Sequence, residues 1–457
     1  MKTYQDLLAL GENATDKERM EFVHDVIGDH KASRLYQDAV LGDAYDRQKN
    51  TTILNYQKVI YNLQGRAVAD RWSANYHLPS NFFNRFTTQQ TQFLLGNGVT
   101  WKESGTPEKL GEDFDLRLQE AGKAALVAGV SFGFYNLDHL EVFTALEFAP
   151  LYDEENGAIM AGVRFWQIDG SKPLRATFYE LDGYTDYIWR DGQGAVLRDK
   201  RPYKLTIQRT DADGEIIYNG ENYDGFPIVP LWGNPHHQSE LTGIRAQIDA
   251  YDLIKSGFAN DLDNAQIYWI LHNTGGMDDV DLAEFLERIH VVGAATVDSD
   301  AGVAAEAHSI ELPYSSRDAL LDRLSEDLYR DYMALDTAQI AGGAATATQI
   351  RAAYEPINNK ADQFEYCVLD FVRGIMALAG AEDEPTFTRS MLINVQEEVQ
   401  TVLLTAEYLD EEYVTRKVMT LLGDGDKVDE VLKRKDAESI ERISAAAAAE
   451  TTGVIEE

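Results

Sequence analysis

The clearest pattern along the chain lies between Ser239 and Asp336. Leu241, Ile244, Ile248, Tyr251, Ile254, Phe258 and Leu262 recur three and four residues apart, which puts one apolar stripe on a helix. The spacing predicts a helix over Ser239–Gln266, about 42 Å long at the usual rise per residue. Leu321, Leu324, Leu328 and Leu335 repeat the pattern on a second helix, Ser315–Asp336, which opens on Ser315 with Asp318 three residues later, a capping signal. Between the two, Ile267–Pro313 reads as a small insert. It holds a strand over Ile267–Leu271, a helix over Asp279–Arg288, and strands over Val291–Val297 and Ala305–Leu312. A unit with so few apolar residues buries little surface alone and needs neighbours to complete it.

The rest of the chain alternates helical and strand periods. Met1–Ser80 reads as polar and helical, with Phe22, Val23, Val26, Val59, Ile60 and Leu63 as buried contacts. Leu116–Val130 is a further helix with an Ala/Gly-rich face. From there to about Tyr223 the period switches to two. Turn signals fall at Glu155-Asn156-Gly157, Asp169-Gly170, Asp182-Gly183, Asp191-Gly192 and Asp213-Gly214, the mark of a β-meander of hairpins. After an uncharged stretch, Thr337–Ala345, Thr346 and Gln349 form a capping box that opens a helix. Ile350, Ala353, Ile357, Ala361, Phe364, Val368, Phe371, Ile375 and Leu378 mark its apolar face, and Pro356 inside it predicts a kink. Glu382–Asn394 reads as a turn and a strand, Asp410–Leu422 and Lys427–Ala449 as helices, and 450–457 as a frayed end. The fold class is α+β and mainly helical.

Charge changes the picture. Lys and Arg number 41 against 77 Asp and Glu, a formal net charge of −36. Tight phosphate binding needs clustered Lys and Arg, so the chain is not built to grip nucleic acid. Hydrophobic content of 44% supports a sizeable core. A single cysteine, Cys367, excludes an intrachain disulfide and fits a reducing compartment; Phe364 and Phe371 beside it suggest a buried structural thiol. The apolar run in Met1–Leu10 is too short for a signal peptide, and no stretch approaches the roughly 20 apolar residues of a membrane span.

Candidate chemistry is sparse. The sequence holds no phosphate-binding loop with its Lys, no HExxH and no paired cysteines. His236 and His237 are adjacent and point different ways on an incipient helix, and further ligands are not near them in sequence. Asp211, Asp213 and Glu215 lack the twelve-residue calcium loop. No catalytic, metal or cofactor residue is assigned, and no cofactor is required.

Several motifs in order carry a resemblance. Phe93-Leu94-Leu95-Gly96-Asn97-Gly98-Val99 comes first, then the Pro-rich lead-in with Pro227, Ile228, Pro230 and Asn234. Ile248-Asp249-Ala250-Tyr251 and Thr346-Ala347-Thr348-Gln349-Ile350 follow. Over about Asn81–Glu430 the chain resembles the portal proteins of tailed bacteriophages with siphovirus-type heads. Gly98 stands where that family's turn carries Pro, which relaxes the turn. The resemblance implies a portal fold, with residues 1–238 as the N-terminal part of the wing and 239–266 as the first stem helix. It implies a small α/β clip at 267–313, a second stem helix at 314–336 and a tunnel loop at 337–346. A kinked wing helix with its following strand would span 347–395, and a helical crown and tail 396–457.

The resemblance also implies a function without enzymatic chemistry. It predicts a dodecameric ring, the head–tail connector at one capsid vertex of the virion, assembled in the host cytoplasm. Double-stranded DNA would pass through it weakly and without sequence preference during packaging and ejection. Expected partners are the terminase large subunit, head-completion adaptor proteins, and capsid and scaffolding proteins; no membrane is involved. The loop facing DNA would be Thr337, Ala338, Gln339, Ile340, Ala341, Gly342, Gly343, Ala344 and Ala345. Asp249, Asp252, Asp263, Asp322, Glu326 and Asp331 are candidates for the channel-facing side of the stem. Asp278, Asp279, Asp281, Glu284, Glu287 and Arg288 are candidates for docking the motor or adaptors. The alternative is an acidic α+β hydrolase whose carboxylates do general acid and base work; it predicts a monomer or dimer with a concave carboxylate pocket.

Overall fold

The computed structural model describes residues 1–11, 13–61, 66–70, 73–210, 216–263, 267–272, 304–309, 314–337, 347–390, 395–422 and 427–434. The chain divides into two compact units, Met1–Leu335 with Pro356–Ser390, and Asp336–Glu355 with Met391–Glu457. The fold is α+β and mainly helical, as the periodicities predict.

The first unit opens with α1 (Tyr4–Leu10), α2 (Asp16–Ala32), α3 (Arg34–Asp46) and α4 (Thr51–Leu54). Thr3 with Asp6, and Thr15 with Glu18, form reciprocal capping boxes, which satisfy N–H groups the helix itself leaves unpaired. The expectation of helix throughout the first eighty residues fails beyond Leu54. β1 (Val59–Tyr61) and β2 (Ala67–Ala69) pair as a hairpin, because Val59, Ile60 and Tyr61 are β-branched or aromatic and suit extended backbone. Val59 is 54% exposed, not buried. The side chain of Ile60, and Leu63, lie outside the described residues.

Next come α5 (Phe82–Leu95), β3 (Val99–Thr100), α6 (Thr106–Leu110) and α7 (Phe114–Ala128). Gly129 ends α7 at φ +94°, the left-handed position that favours glycine at a helix C-terminus.

The expected meander exists, but as separate sheets. β6 (Phe148–Tyr152), β7 (Ile159–Trp166), β8 (Leu174–Glu180), β9 (Gly183–Arg190) and β10 (Gln193–Arg201) form one antiparallel sheet in chain order. Asp191 and Gly192 turn β9 into β10 with φ of +51° and +77°, a pair whose twist matches a tight hairpin. β11 (Lys204–Thr210) and β12 (Ile216–Glu221) pair on their own, and the Asp213-Gly214 turn between them is outside the described residues. β4 (Val130–Asn136), β5 (His139–Thr144) and β13 (Ile228–Trp232) make a third sheet in the order β13-β4-β5. The Pro-rich lead-in is thus an edge strand, with Pro230 opposite Phe132. An edge tolerates the missing N–H.

Among the described residues, three clusters hold this unit. In one, Phe22, Val23, Val26 and Ile27 of α2 cover the five-stranded sheet at Leu151, Val163, Phe165 and Phe178. The largest joins α7, the three-stranded sheet and α10 (Ala347–Ala379) through residues such as Leu126, Phe132, Phe143, Phe364, Phe371 and Ile375. Each such side chain contributes roughly 1.5–3 kcal/mol by leaving water. In this cluster Cys367 is half-buried, and burial pushes its thiol up. Pro356, the expected kink position, lies inside a continuous α10.

The third cluster ties α5 to two further helices, α8 (Leu241–Asp263) and α9 (Tyr314–Tyr332). Among the described residues between them in sequence are the strands β14 (Ile267–His272) and β15 (Ala304–Ser309). The helix expected over Asp279–Arg288 and the strand over Val291–Val297 are outside the described residues. β16 (Thr386–Phe387) closes the unit by pairing with β3.

The second unit contains α11 (Val395–Leu404), a short turn at Ala406–Tyr408 and α12 (Glu411–Leu422). Arg416 bridges Glu412 and Asp429 at 2.9 Å each.

Candidate functional site

α8 and α9 lie side by side and antiparallel. Arg317, near the start of α9, meets Asp261, near the end of α8; Gln247, early in α8, donates to Asp331, late in α9. The Phe258 and Tyr314 rings approach to 5.7 Å. β14 and β15 pair antiparallel beyond them, Ile267 opposite Ser309 and His272 opposite Ala304.

The apolar stripe of α8 splits half-way along. Leu241, Ile244 and Ile248 are buried with Phe82, Phe83, Phe86, Leu328 and Tyr332. Beyond Ile248 the buried positions are Asp252, Ser256 and Asn260. Tyr251, Ile254 and Phe258 are only half-buried, and Leu262 is 55% exposed.

The cause is a ladder from residues 76–80. The N–H of Ser80 donates to Asp252 Oδ1 at 2.8 Å, that of Leu78 to Ser256 Oγ at 3.0 Å, and that of Tyr76 to Asn260 Oδ1 at 2.6 Å. Four helical residues advance about 6 Å, and two extended residues advance about 6.6 Å, so the two chains stay in step. Pro79, which has no N–H, falls between rungs.

Two of the predicted channel residues are corrected here. Asp252 is fully buried, accepting from Ser80 and from Asn50 Nδ2. Burial pushes its carboxyl up, and the Asn50 and Ser80 donors oppose that. Asp249 is half-buried and accepts from Tyr45 Oη and, at 2.8 Å, from Thr52 Oγ1. Both therefore face the N-terminal segments of their own chain, because those segments supply donors that an open face lacks. Asp263, Asp322, Glu326 and Asp331 are exposed. Thr337 is exposed, whereas Ala338–Ala345 are outside the described residues, as are Asp278, Asp279, Asp281, Glu284, Glu287 and Arg288.

At the other end of the pair, Lys360 of α10 joins α8 to α9. Its Nζ donates to Glu240 Oε2 at 2.6 Å and to Tyr332 O at 3.0 Å, and lies 3.4 Å from the centre of the Tyr332 ring. Asn234 Nδ2 donates to the second Glu240 oxygen at 2.9 Å. Burial pulls the Lys360 ammonium below its ordinary range, against the pull of Glu240. The Tyr332 carbonyl is one that the end of α9 leaves without a partner in its own helix.

The order of these elements is matched by a family model. The family of phage portal proteins described as SPP1 Gp6-like aligns with residues 33–445. The chain belongs to that family.

Among portal relatives, the portal protein of Bacillus phage SPP1 is 24% identical over 328 residues, 68% of this chain and 63% of that protein. The portal protein of Clostridium phage phiCD119 is 26% identical over 189 residues, 39% of this chain and 42% of that one. The alignments thus span less than two thirds of each relative's length. A solved structure, the neck of an empty GTA particle computed with C6 symmetry, has a TM-score of 0.39 at 11% identity, over 75% of this chain and 90% of that chain.

Among the described residues no group of three or more His, Cys, Asp or Glu is placed to hold a metal ion, and no helix is long and apolar enough to cross a membrane. His237 stacks on Trp232 with ring centres 3.8 Å apart.

The ladder and the Lys360 junction escaped the sequence reading. The four-residue spacing of Asp252, Ser256 and Asn260 was visible as one helix face, but its partners are backbone N–H groups that leave no mark in composition.

Proposed function

We propose that this portal-family chain is the subunit of a ring-shaped channel at one capsid vertex. The ring is a dodecamer that passes double-stranded DNA during packaging and ejection. The observation that carries the reading is the lower half of α8. Its apolar residues Tyr251, Ile254, Phe258 and Leu262 are left incompletely covered within the subunit. A neighbouring copy that covers this edge with a different face of its own makes a heterologous contact, and such contacts close into rings. In this reading α8 and α9 are the stem, β14 and β15 belong to the clip, and 337–346 is the loop at the channel wall. Asp263, Asp322, Glu326 and Asp331 are the acidic side chains available to face DNA.

With a net charge of −36, the channel wall repels phosphate more than it binds it, so DNA slides. The terminase large subunit and head-completion adaptors dock on the acidic clip, where a basic patch on a partner finds its complement. Capsid and scaffolding proteins contact the wing. The subunit performs no covalent chemistry in this role; it is a virion component.

The test is equilibrium binding of duplex DNA to the assembled ring at about 0.15 M salt. The reading expects affinity no tighter than the non-specific range, roughly 10⁻⁴ to 10⁻⁶ M. Tight, saturable binding at nanomolar DNA contradicts the sliding channel.

A further inference from the structure

The polar run Thr87-Thr88-Gln89-Gln90-Thr91 sits in the middle of α5, and Thr87, Gln90 and Thr91 are buried. Burying amides and hydroxyls costs free energy unless each finds a partner. Thr87 and Thr91 return their hydroxyls to carbonyls of α5 itself, at Phe83 and Thr87. The two glutamines do not. Gln89 reaches the chain just after α9, and Gln90 the last residue of α9.

Gln89 makes two bonds to a single residue. Its Nε2 donates to Leu335 O at 2.9 Å, and its Oε1 accepts from Leu335 N at 3.0 Å. One side-chain amide thereby satisfies the whole backbone of Leu335, as a neighbouring strand would. Gln90 Oε1 accepts from Tyr332 Oη at 2.8 Å, and the Tyr332 ring stacks on Phe86 at 4.8 Å. Lys360 closes the Tyr332 carbonyl. Between these anchors Met333 adopts φ +62°, with Ala334 N donating back to Tyr329 O at 2.9 Å. A left-handed residue without glycine's freedom persists only where its surroundings fix it. Leu335 is also the residue at which the chain leaves the first compact unit.

We propose that Gln89 is a positioning residue: with Gln90 and Lys360 it clamps residues 332–335 as the fixed root of the segment 337–346. The importance of that root for DNA passage rests on the channel reading above. The clamp itself does not. The clamp holds residues 332–335 in place and stops α9 at Tyr332.

The experiment is hydrogen exchange on the full chain, read on the peptide covering 333–337, in wild type, Gln89→Ala and Gln89→Glu. Gln89→Ala removes both bonds, and the Leu335 amide exchanges about ten-fold faster, as expected for one lost hydrogen bond. Gln89→Glu keeps the acceptor for Leu335 N but sets a second acceptor oxygen against Leu335 O, so protection of the Leu335 amide falls between wild type and Gln89→Ala. A second readout uses a nitroxide at Thr337→Cys in a Cys367→Ser background. Its spectrum sharpens toward free rotation in Gln89→Ala and less so in Gln89→Glu. Unchanged exchange and an unchanged spectrum in Gln89→Ala overturn the clamp. If Gln89→Ala fails to fold, exchange and spectrum in Gln89→Glu identical to wild type overturn it equally. Broadening of the Thr337 label by duplex DNA in the assembled ring reports on the channel instead. Its absence, beside an intact Gln89 effect, overturns the channel reading and leaves the clamp standing.

Discussion

The backbone N–H of Ser80 donates to the fully buried carboxylate of Asp252 at 2.8 Å. It is the first of three rungs by which residues 76–80 run along α8, and it turns an acidic residue of a long helix inward. Asn50 Nδ2 donates to the same carboxylate. Asp252→Ala leaves the Ser80 N–H buried without an acceptor and leaves Asn50 Nδ2 only its 3.1 Å bond to Ser80 O, at about 1–3 kcal/mol for each lost partner. We expect a loss of about 2–4 kcal/mol by urea unfolding, with Asp252→Asn costing less because one acceptor remains. A change below about 0.5 kcal/mol, typical of a surface site, shows that the ladder does not support the helix.

His30 gives an acid-side signature. Its Nε2 lies 2.7 Å from Ala145 O, its ring is edge-on to Tyr36 and Phe165, and its Nδ1 is buried without a partner. Burial, with the neighbouring Lys31 charge, pulls its pKa below the ordinary 6.5, and the Ala145 bond opposes that. A folded-state value below the unfolded one means the native state resists protonation. Its contribution is complete above 6.5 and is lost as pH falls through and below that value. Thermal midpoints at pH 7.5 and 5.0 therefore differ more in wild type than in His30→Gln. Equal differences in the two proteins remove His30 as a source of acid sensitivity.

The Lys360–Glu240 pair couples α10 to the start of α8. Both side chains are more than four-fifths buried. Removing one partner leaves the other buried and uncompensated, which costs about 3–5 kcal/mol. Lys360→Met and Glu240→Gln are each expected to destabilise strongly, and the double variant by clearly less than the sum. A double-mutant cycle by urea unfolding measures this; additive losses contradict direct coupling.

How far the sequence leads depends on where each partner lies. Leu241, Ile244 and Ile248 declared a helix and its buried face because their spacing is local. Asp191-Gly192 declared its hairpin for the same reason. Asp249 and Asp252 were misread as open-face acids because their donors, Tyr45, Thr52, Asn50 and Ser80, are about 170 to 200 positions away in sequence. Val59-Ile60-Tyr61 carried a legible strand signal that the helical reading of the first eighty residues overrode. The channel, loop and docking roles came from family resemblance, since no spacing of Gly and Ala residues states what passes beside them.

The uncovered edge of α8 yields a prediction about assembly. Ile254→Glu with Leu262→Glu places charge on an edge that the subunit itself leaves open. Burying unpaired charge at a subunit contact is costly, so the variant is expected to stay monomeric while keeping its thermal midpoint as a monomer within a few degrees. Size-exclusion chromatography with light scattering checks this. A variant that assembles like wild type moves the subunit contact elsewhere.

The most direct measurement is the native mass of the purified protein, by light scattering alongside negative-stain images. The account predicts rings with a central hole, with a mass that is a multiple of the 51.2 kDa chain and matches a dodecamer. A compact monomer that persists across salt and protein concentration contradicts it.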